Sequence, residues 1–359
     1  MRQTHARLAD GREIIYFDES SNYARVSSDV RVLPARATPG HTRVDPLTGE
    51  VVIMAPHRRH RGVRPGTEQC PLCPSTPFRL TEVPESDYEV VVFENRFASL
   101  GTRCEVVSYS PSHTESFGTL TSRRARLVVN VLADRTDALA AMPGVEQVFC
   151  FEDRGAEIGV TLDHPHGQIY AYPFIPGRSQ LMLDTARRYA ETTGRPLLGD
   201  LVRTERERGE LLVAAGQHWT AFVPPAARWP FEILLVPHRQ VPDLRSLTDP
   251  ELDEFCAMYQ NVLHRLDRIF GIAMPYVSAW HQAPVRALRE YGYLHLQLIS
   301  IRSGAERLKY LGGSELAMGA FVNEVLPAEA ASMLRHAGPG HQRTTDHGSS
   351  ASRSPTQPS

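Results

Sequence analysis

The segment Asp163-His164-Pro165-His166-Gly167-Gln168-Ile169-Tyr170 holds the densest run of chemically capable side chains in the sequence. Pro165 fixes φ and removes a backbone donor, and the residue before a proline is pushed toward extended backbone. In an extended segment, side chains two apart share a face. His164, His166 and Gln168 are therefore expected to project together. Imidazole and amide groups in a row make poor core material, because each needs a buried partner. They suit a metal, a phosphate or both. Imidazole attacks phosphorus when a hydrogen bond to its other nitrogen sets the tautomer. Gly167 lets a phosphate approach the backbone closely. Gln168 can donate to a phosphoryl oxygen as charge develops there. A lone histidine is more often a satisfied structural residue, but His-Pro-His-Gly-Gln as a unit reads as functional.

Two soft ligands lie upstream. Cys70-Pro71-Leu72-Cys73 has the spacing of a zinc knuckle. A redox pair would call for a surrounding βαβ pattern, which is missing here. A closed tetrahedral site needs two further ligands. His113 and His164, each close to a proline at a strand boundary, are candidates, though spacing alone does not assign them. The basic run His57-Arg58-Arg59-His60-Arg61 ends a strand. On charge alone it reads as a solvated loop; its place at a strand end makes phosphate binding the alternative.

These groups need a scaffold, and the pattern supplies one twice. In the first half come the strands Tyr88–Phe93 and Cys104–Tyr109, then Pro111-Ser112-His113, Thr119-Leu120-Thr121, a helix over 122–142, a strand from Val145 to Glu152 and the His-Pro-His strand. In the second half come the strands Trp219–Val223 and Phe231–Val236, then Pro237-His238, Ser246-Leu247-Thr248, a helix over 249–270 and strands at Tyr276–Trp280 and Tyr293–Ser300. His295 and Gln297 repeat the spacing of His166 and Gln168. A further helix is expected over 178–193. The ordered repeat implies an α+β fold of two similar units with antiparallel sheets and flanking helices. Residues 1–40 read as an N-terminal extension, 41–195 as the first unit, 196–336 as the second, and 337–359 as a disordered tail rich in Ser, Thr, Pro and Gly.

Composition removes several function classes. The 359 residues carry a formal net charge of −2, which argues against nucleic-acid or membrane-surface binding. No apolar run approaches a membrane span, and the N-terminus is not that of a secretory signal. Five cysteines in so long a chain argue against a disulfide framework and for a reducing cytoplasm.

His164-Pro165-His166-Gly167-Gln168 resembles the active-site signature of the galactose-1-phosphate uridylyltransferase family, within the histidine-triad superfamily. The resemblance runs from about Arg43 to Arg335. It includes Asp45-Pro46-Leu47-Thr48-Gly49-Glu50, Pro56-His57-Arg58, Cys70-Pro71-Leu72-Cys73, Ser110-Pro111-Ser112-His113, Phe151-Glu152, Trp229-Pro230-Phe231-Glu232 and Trp280-His281-Gln282-Ala283-Pro284. It implies a ping-pong reaction of galactose metabolism (the Leloir pathway). His166 would take a uridylyl group from UDP-glucose and pass it to galactose 1-phosphate, with Gln168 on the transferred phosphoryl group. It implies Zn2+ held by Cys70, Cys73, His113 and His164. Arg58 and Arg61 would face the nucleotide phosphates, and Phe93 and Asn95 would lie near the uridine. Asp153 and Thr161 stand where the family usually has Asn and Ser, and would keep polar contacts. Lys309, Tyr310 and Glu315 match a hexose-phosphate segment reached from the partner subunit of a homodimer.

The sequence also departs from the family. Of a second metal site of one Glu and three His, only His281 and His295 are matched. Gln297 replaces the third histidine and Met182 falls at the Glu, which argues against an iron site. Arg96 stands where an acid is often found, leaving the base open, and weaker matching around Gly313, Ser314 and Phe321 leaves the sugar open. Two other readings stay in view. One is a related phosphorylase acting on an ADP-sugar or a dinucleoside polyphosphate. The other is a non-catalytic, zinc-stabilised nucleotide-binding protein.

Overall fold

Alternating apolar positions build the strands, and their two faces go to different neighbours. The computed structural model describes residues 1–20, 24–36, 38–60 and 65–338. β1 (Arg2–Arg7) and β2 (Glu13–Asp18) form a hairpin. β3 (His41–Val44) and β4 (Val51–Met54) form a small separate sheet across the Asp45–Glu50 turn. β5 (Val90–Glu94), β6 (Cys104–Ser108), α1 (Ser122–Ala140), β7 (Gln147–Arg154) and β8 (His166–Tyr172) complete the first half. α2 (Gly177–Thr193) and α3 (Leu197–Arg208) lead to β9 (Leu212–Ala215), β10 (Trp219–Phe222), β11 (Phe231–Pro237), α4 (Asp249–Ile269), β12 (Tyr276–His281) and β13 (His295–Ser300). The ribbon β14 (Arg302–Gly304) and β15 (Arg307–Leu308) follows, then α5 (Gly313–Met318) and α6 (Pro327–His336).

The α+β expectation agrees with this architecture, and the repeat is visible in the strand order. One eleven-stranded antiparallel sheet runs β1-β2-β5-β6-β8-β7-β12-β13-β11-β10-β9. Strands β5-β6-β8-β7 are mirrored by β10-β11-β13-β12 about the β7–β12 ladder, where Ala279 faces Phe151 and Tyr276 faces Arg154. The two halves are thus fused into a single sheet. The first forty residues, expected as an extension, supply the edge strand β1 and its neighbour β2. Ile15 and Phe17 enter the main core while Ile14 and Tyr16 pack into a second cluster, so β2 is buried on both faces. The tail lies outside the described residues from 339 onward.

α1 and α4 cover one face of the sheet. α1 starts at Thr121, whose hydroxyl accepts from the Arg124 N–H, and buries Leu127, Val128, Val131 and Leu132 at helical spacing. α4 opens on a Thr248/Glu251 capping box and buries Phe255, Val262 and Leu266. Val107, Ile169, Leu235 and Leu296 meet them from the sheet. α3 falls where the sequence reading assigns no element, because its short turn-rich start and its many charges hide the few apolar positions. The opposite face carries the segment 70–83 over the first half and α3 over the second, where α2 borders a cavity shared with β11 and β13.

Candidate active site

β8 alternates as its sequence predicts. Gly167, Ile169 and Ala171 are buried, whereas His166, Gln168 and Tyr170 look out on the face away from α1. A cavity of about 280 Å³ opens there. It brings together Arg58, Phe93, Asn95, Asp153, Thr161, His166 and Gln168, seven of the residues singled out above. Cross-strand register explains the meeting: Phe93 faces Val106, Val106 faces Gln168, and Gln168 faces Phe151 across four neighbouring strands. Pro71 and Leu72 cover the apolar end.

His166 Nδ1 lies 2.7 Å from the carbonyl oxygen of His164. A carbonyl only accepts, so Nδ1 carries the proton and the lone pair sits on Nε2. Asn95 donates to Gln168 Oε1 at 3.2 Å, which leaves the Gln168 amide hydrogens to serve an incoming oxygen. Arg58 reaches Tyr170. Burial raises the Asp153 carboxyl above its usual range. An imidazole with a fixed tautomer, an amide donor and an arginine facing one cavity can attack and hold a phosphoryl group.

His164 does not project with His166 and Gln168 as expected: it lies in the bend before β8, buried and outside the cavity. Its Nε2 donates to the Ser110 carbonyl at 2.8 Å and lies 3.3 Å from the Tyr88 hydroxyl. Nδ1 is thereby left as the ligand atom, 3.5 Å from Cys73 Sγ; His113 Nδ1 lies 3.4 Å from the same sulfur. Cys70, Cys73, His113 and His164 place four ligand atoms within 4.8 Å of one another. Sulfur and nitrogen on adjacent corners of a zinc tetrahedron are about 3.6 Å apart, so the donor set fits that ion. The Ser110 carbonyl supplies the outer hydrogen bond that orients a ligating imidazole. Burial pushes the Cys70 thiol up to about 11, so a bound cation is what would hold it as thiolate.

The second half repeats the nucleophile's geometry without its phosphate groups. His295 starts β13 and its Nδ1 lies 2.8 Å from the carbonyl two residues back, at Tyr293. Its ring stacks on His281 at 4.7 Å. His281 Nε2 bonds Gln297 Oε1 at 2.9 Å, and Gln297 donates to Glu232 Oε1 at 2.5 Å. Gln297 thus spends its amide on protein partners, and Met182, in the same cavity, offers only a thioether. These residues do not fit a second hard-metal site.

Lys309, Tyr310 and Glu315, expected at a partner subunit's site, lie outside this chain's cavity. Lys309 and Glu315 form an ion pair at 2.9 Å with both side chains largely buried, while Tyr310 is 71% exposed. Arg61 lies outside the described residues. Several wall residues carry no sequence signal of their own. Glu82 is placed by Arg12, seventy positions away, and Arg31. Tyr170 could have been found, since it follows Gln168 by two on one strand.

Comparisons with known proteins agree with this geometry. Residues 100–176 match the galactose-1-phosphate uridyl transferase N-terminal domain, and residues 182–346 the C-terminal domain. Among curated proteins, the galactose-1-phosphate uridylyltransferase of Streptomyces lividans is 43% identical, covering 96% of this chain and 100% of that one. That of Thermotoga maritima is 31% identical, covering 82% and 97%. A solved uridylyltransferase superimposes with a TM-score of 0.75 at 29% identity, covering 82% of this chain and 98% of that one. An ADP-glucose phosphorylase from Arabidopsis thaliana shares the fold, with a TM-score of 0.63 at 22% identity over 82% and 98%.

Proposed function

The chain belongs to the galactose-1-phosphate uridylyltransferase family, and on that premise we propose that it moves a uridylyl group from UDP-glucose to galactose 1-phosphate through His166. His166 Nε2 attacks the α-phosphorus. A P–N bond forms, the P–O bond to glucose 1-phosphate breaks, and that sugar phosphate leaves. An oxygen of the galactose 1-phosphate phosphate then attacks the same phosphorus and expels the imidazole. The single observation carrying this reading is the hydrogen bond from His166 Nδ1 to the His164 carbonyl. It sets the tautomer that puts the lone pair on Nε2 and stabilises the cationic ring of the uridylyl-histidine. Gln168 donates to the phosphoryl oxygens, Arg58 faces the nucleotide phosphates, Phe93 and Asn95 hold the uridine, and Asp153 and Thr161 add polar contacts.

Zn2+ is the ion assigned to Cys70, Cys73, His113 and His164. When bound, it supplies a structural anchor for His164, whose carbonyl orients the nucleophile. The working form is a homodimer in the cytoplasm, with Lys309, Tyr310 and Glu315 offered to the hexose phosphate of the partner's site. Exposed Tyr310, Leu316, Met318 and Val322 on that segment support a covered surface. Five free, buried cysteines accord with a reducing compartment.

UDP-glucose labelled at the α-phosphorus should leave acid-labile label on His166. Label from ADP-glucose instead would replace the uridylyl reading with the phosphorylase. Label from neither, with no exchange affected by His166→Gly, would leave a binding protein.

A further inference from the structure

A polar cluster lies behind the nucleophile's strand, on the side of α1 and α4. Glu152 on β7 faces Gly167 across the ladder to β8. Its carboxylate oxygen Oε1 accepts from the Tyr276 hydroxyl at 2.7 Å. Tyr109, Tyr259 and Tyr276 are all buried around it. Packing alone would be served by phenylalanine, and each buried hydroxyl costs free energy unless it is bonded. The Tyr259 hydroxyl has no hydrogen-bond partner among the described residues. It borders a cavity of about 20 Å³ that is also lined by Tyr109, Glu152 and Ser278. By that measure a water needs about 10–15 Å³ and two or more polar partners.

Tyr109 connects this cluster to the chemistry. Its backbone N–H donates to the Pro165 carbonyl at 3.1 Å. Its hydroxyl lies where a Cβ on residue 167 would sit, which is why that residue is glycine. One residue therefore touches the chain on both sides of His166, through its backbone at 165 and through its hydroxyl at 167.

We propose that Tyr109 and Glu152, joined through an internal water to Tyr259, are positioning residues that fix the height of β8 at Gly167 and so the aim of His166. The groups facing Glu152 are Tyr109 after β6, Tyr259 on α4, Tyr276 and Ser278 on β12, and its own neighbours Asp153 and Arg154. Arg154 is committed to Asp267. Burial lifts the Glu152 carboxyl to about 7, so the cluster is anchored by a neutral acid below that value and acquires a buried charge above it.

The kinetic test rests on the uridylyl-transfer reading. It follows single-turnover labelling by α-labelled UDP-glucose, with melting temperature measured alongside. Tyr109→Phe is expected to slow labelling roughly tenfold or more at saturating nucleotide, with KM within about threefold and the final yield unchanged. Glu152→Gln keeps the shape without the charge. It is expected to match the native rate below the carboxyl's midpoint and to abolish the native decline above it. Glu152→Ala should behave as Tyr109→Phe does. A native rate in Tyr109→Phe overturns the proposal. So does a Glu152→Gln loss as large as that of Glu152→Ala and proportional to the fall in melting temperature. Absence of label from the native chain would sink the transfer reading instead. Positioning would then be read from the His166 ring-nitrogen NMR shifts, and identical shifts in the native chain and Tyr109→Phe would overturn it.

Discussion

His166 and His295 occupy equivalent places in the two halves. Each opens a strand, each holds its Nδ1 against the carbonyl two residues back, and each has a glutamine two residues on. They differ in what surrounds them. His166 faces a cavity with Arg58, Asn95 and Asp153, while His295 is stacked on His281 beside a Gln297 already bound to Glu232.

This difference predicts opposite outcomes for matched substitutions. His166→Ala is expected to lower uridylyl exchange by at least about a thousandfold, since no other group can form the P–N bond. His295→Ala is expected to cost less than about tenfold, chiefly through lost packing. Steady-state exchange between UDP-glucose and labelled glucose 1-phosphate measures both.

Gln168 acts where charge appears. Gln168→Ala removes an amide donor of the kind worth about 10²–10³ in kcat, and KM for UDP-glucose should move much less. A loss confined to KM would assign Gln168 to ground-state binding.

Metal content should separate the two halves. Purified protein should hold about one zinc equivalent per chain, lost in Cys73→Ser and on acidification as thiolates and imidazoles take up protons. Met182→Glu combined with Gln297→His should add a second equivalent at His281 and His295. Elemental analysis of the native chain showing two equivalents would contradict this account of the second half.

Stability should depend on pH through buried groups of opposite sense. The Glu152 carboxyl is raised from 4.5 to about 7 by burial, so its neutral form favours the fold below 4.5 and that contribution is lost as pH rises to about 7. The full difference is as much as about 3 kcal/mol. Burial lowers His281 from 6.5 to about 3 and His295 to about 4, so these rings favour the fold above 6.5 and their contribution is lost as pH falls. Glu152→Gln should thus gain on the native chain in denaturant melts near and above neutrality, and not at low pH.

Much of this site could be read from the chain because its parts are local. His164 to Gln168 are consecutive, and strand alternation alone places His166 and Gln168 on one face. Cys70 and Cys73 announce half of a four-ligand cluster through their spacing. The buried spans of α1 and α4 follow helical periodicity. What could not be read is held by contacts distant in sequence. Glu82 enters the cavity wall because Arg12 and Arg31 fix it, and Tyr88 reaches His164 from the segment before β5. β2 has a run of four apolar residues, which marks burial but not the strand it pairs with. Lys309 and Glu315 form an ion pair within this chain, a contact that the strand and helix patterns do not announce.

The β7–β12 ladder makes the two halves one plank. Tilting either half against the other would break hydrogen bonds shared by both, so a clamshell that shut over each sugar would cost that ladder. The ping-pong transfer proposed above suits such stiffness. Its two half-reactions pass through the same geometry at one phosphorus, with departing and arriving sugar phosphates exchanging places. The frame need only stay still while they trade.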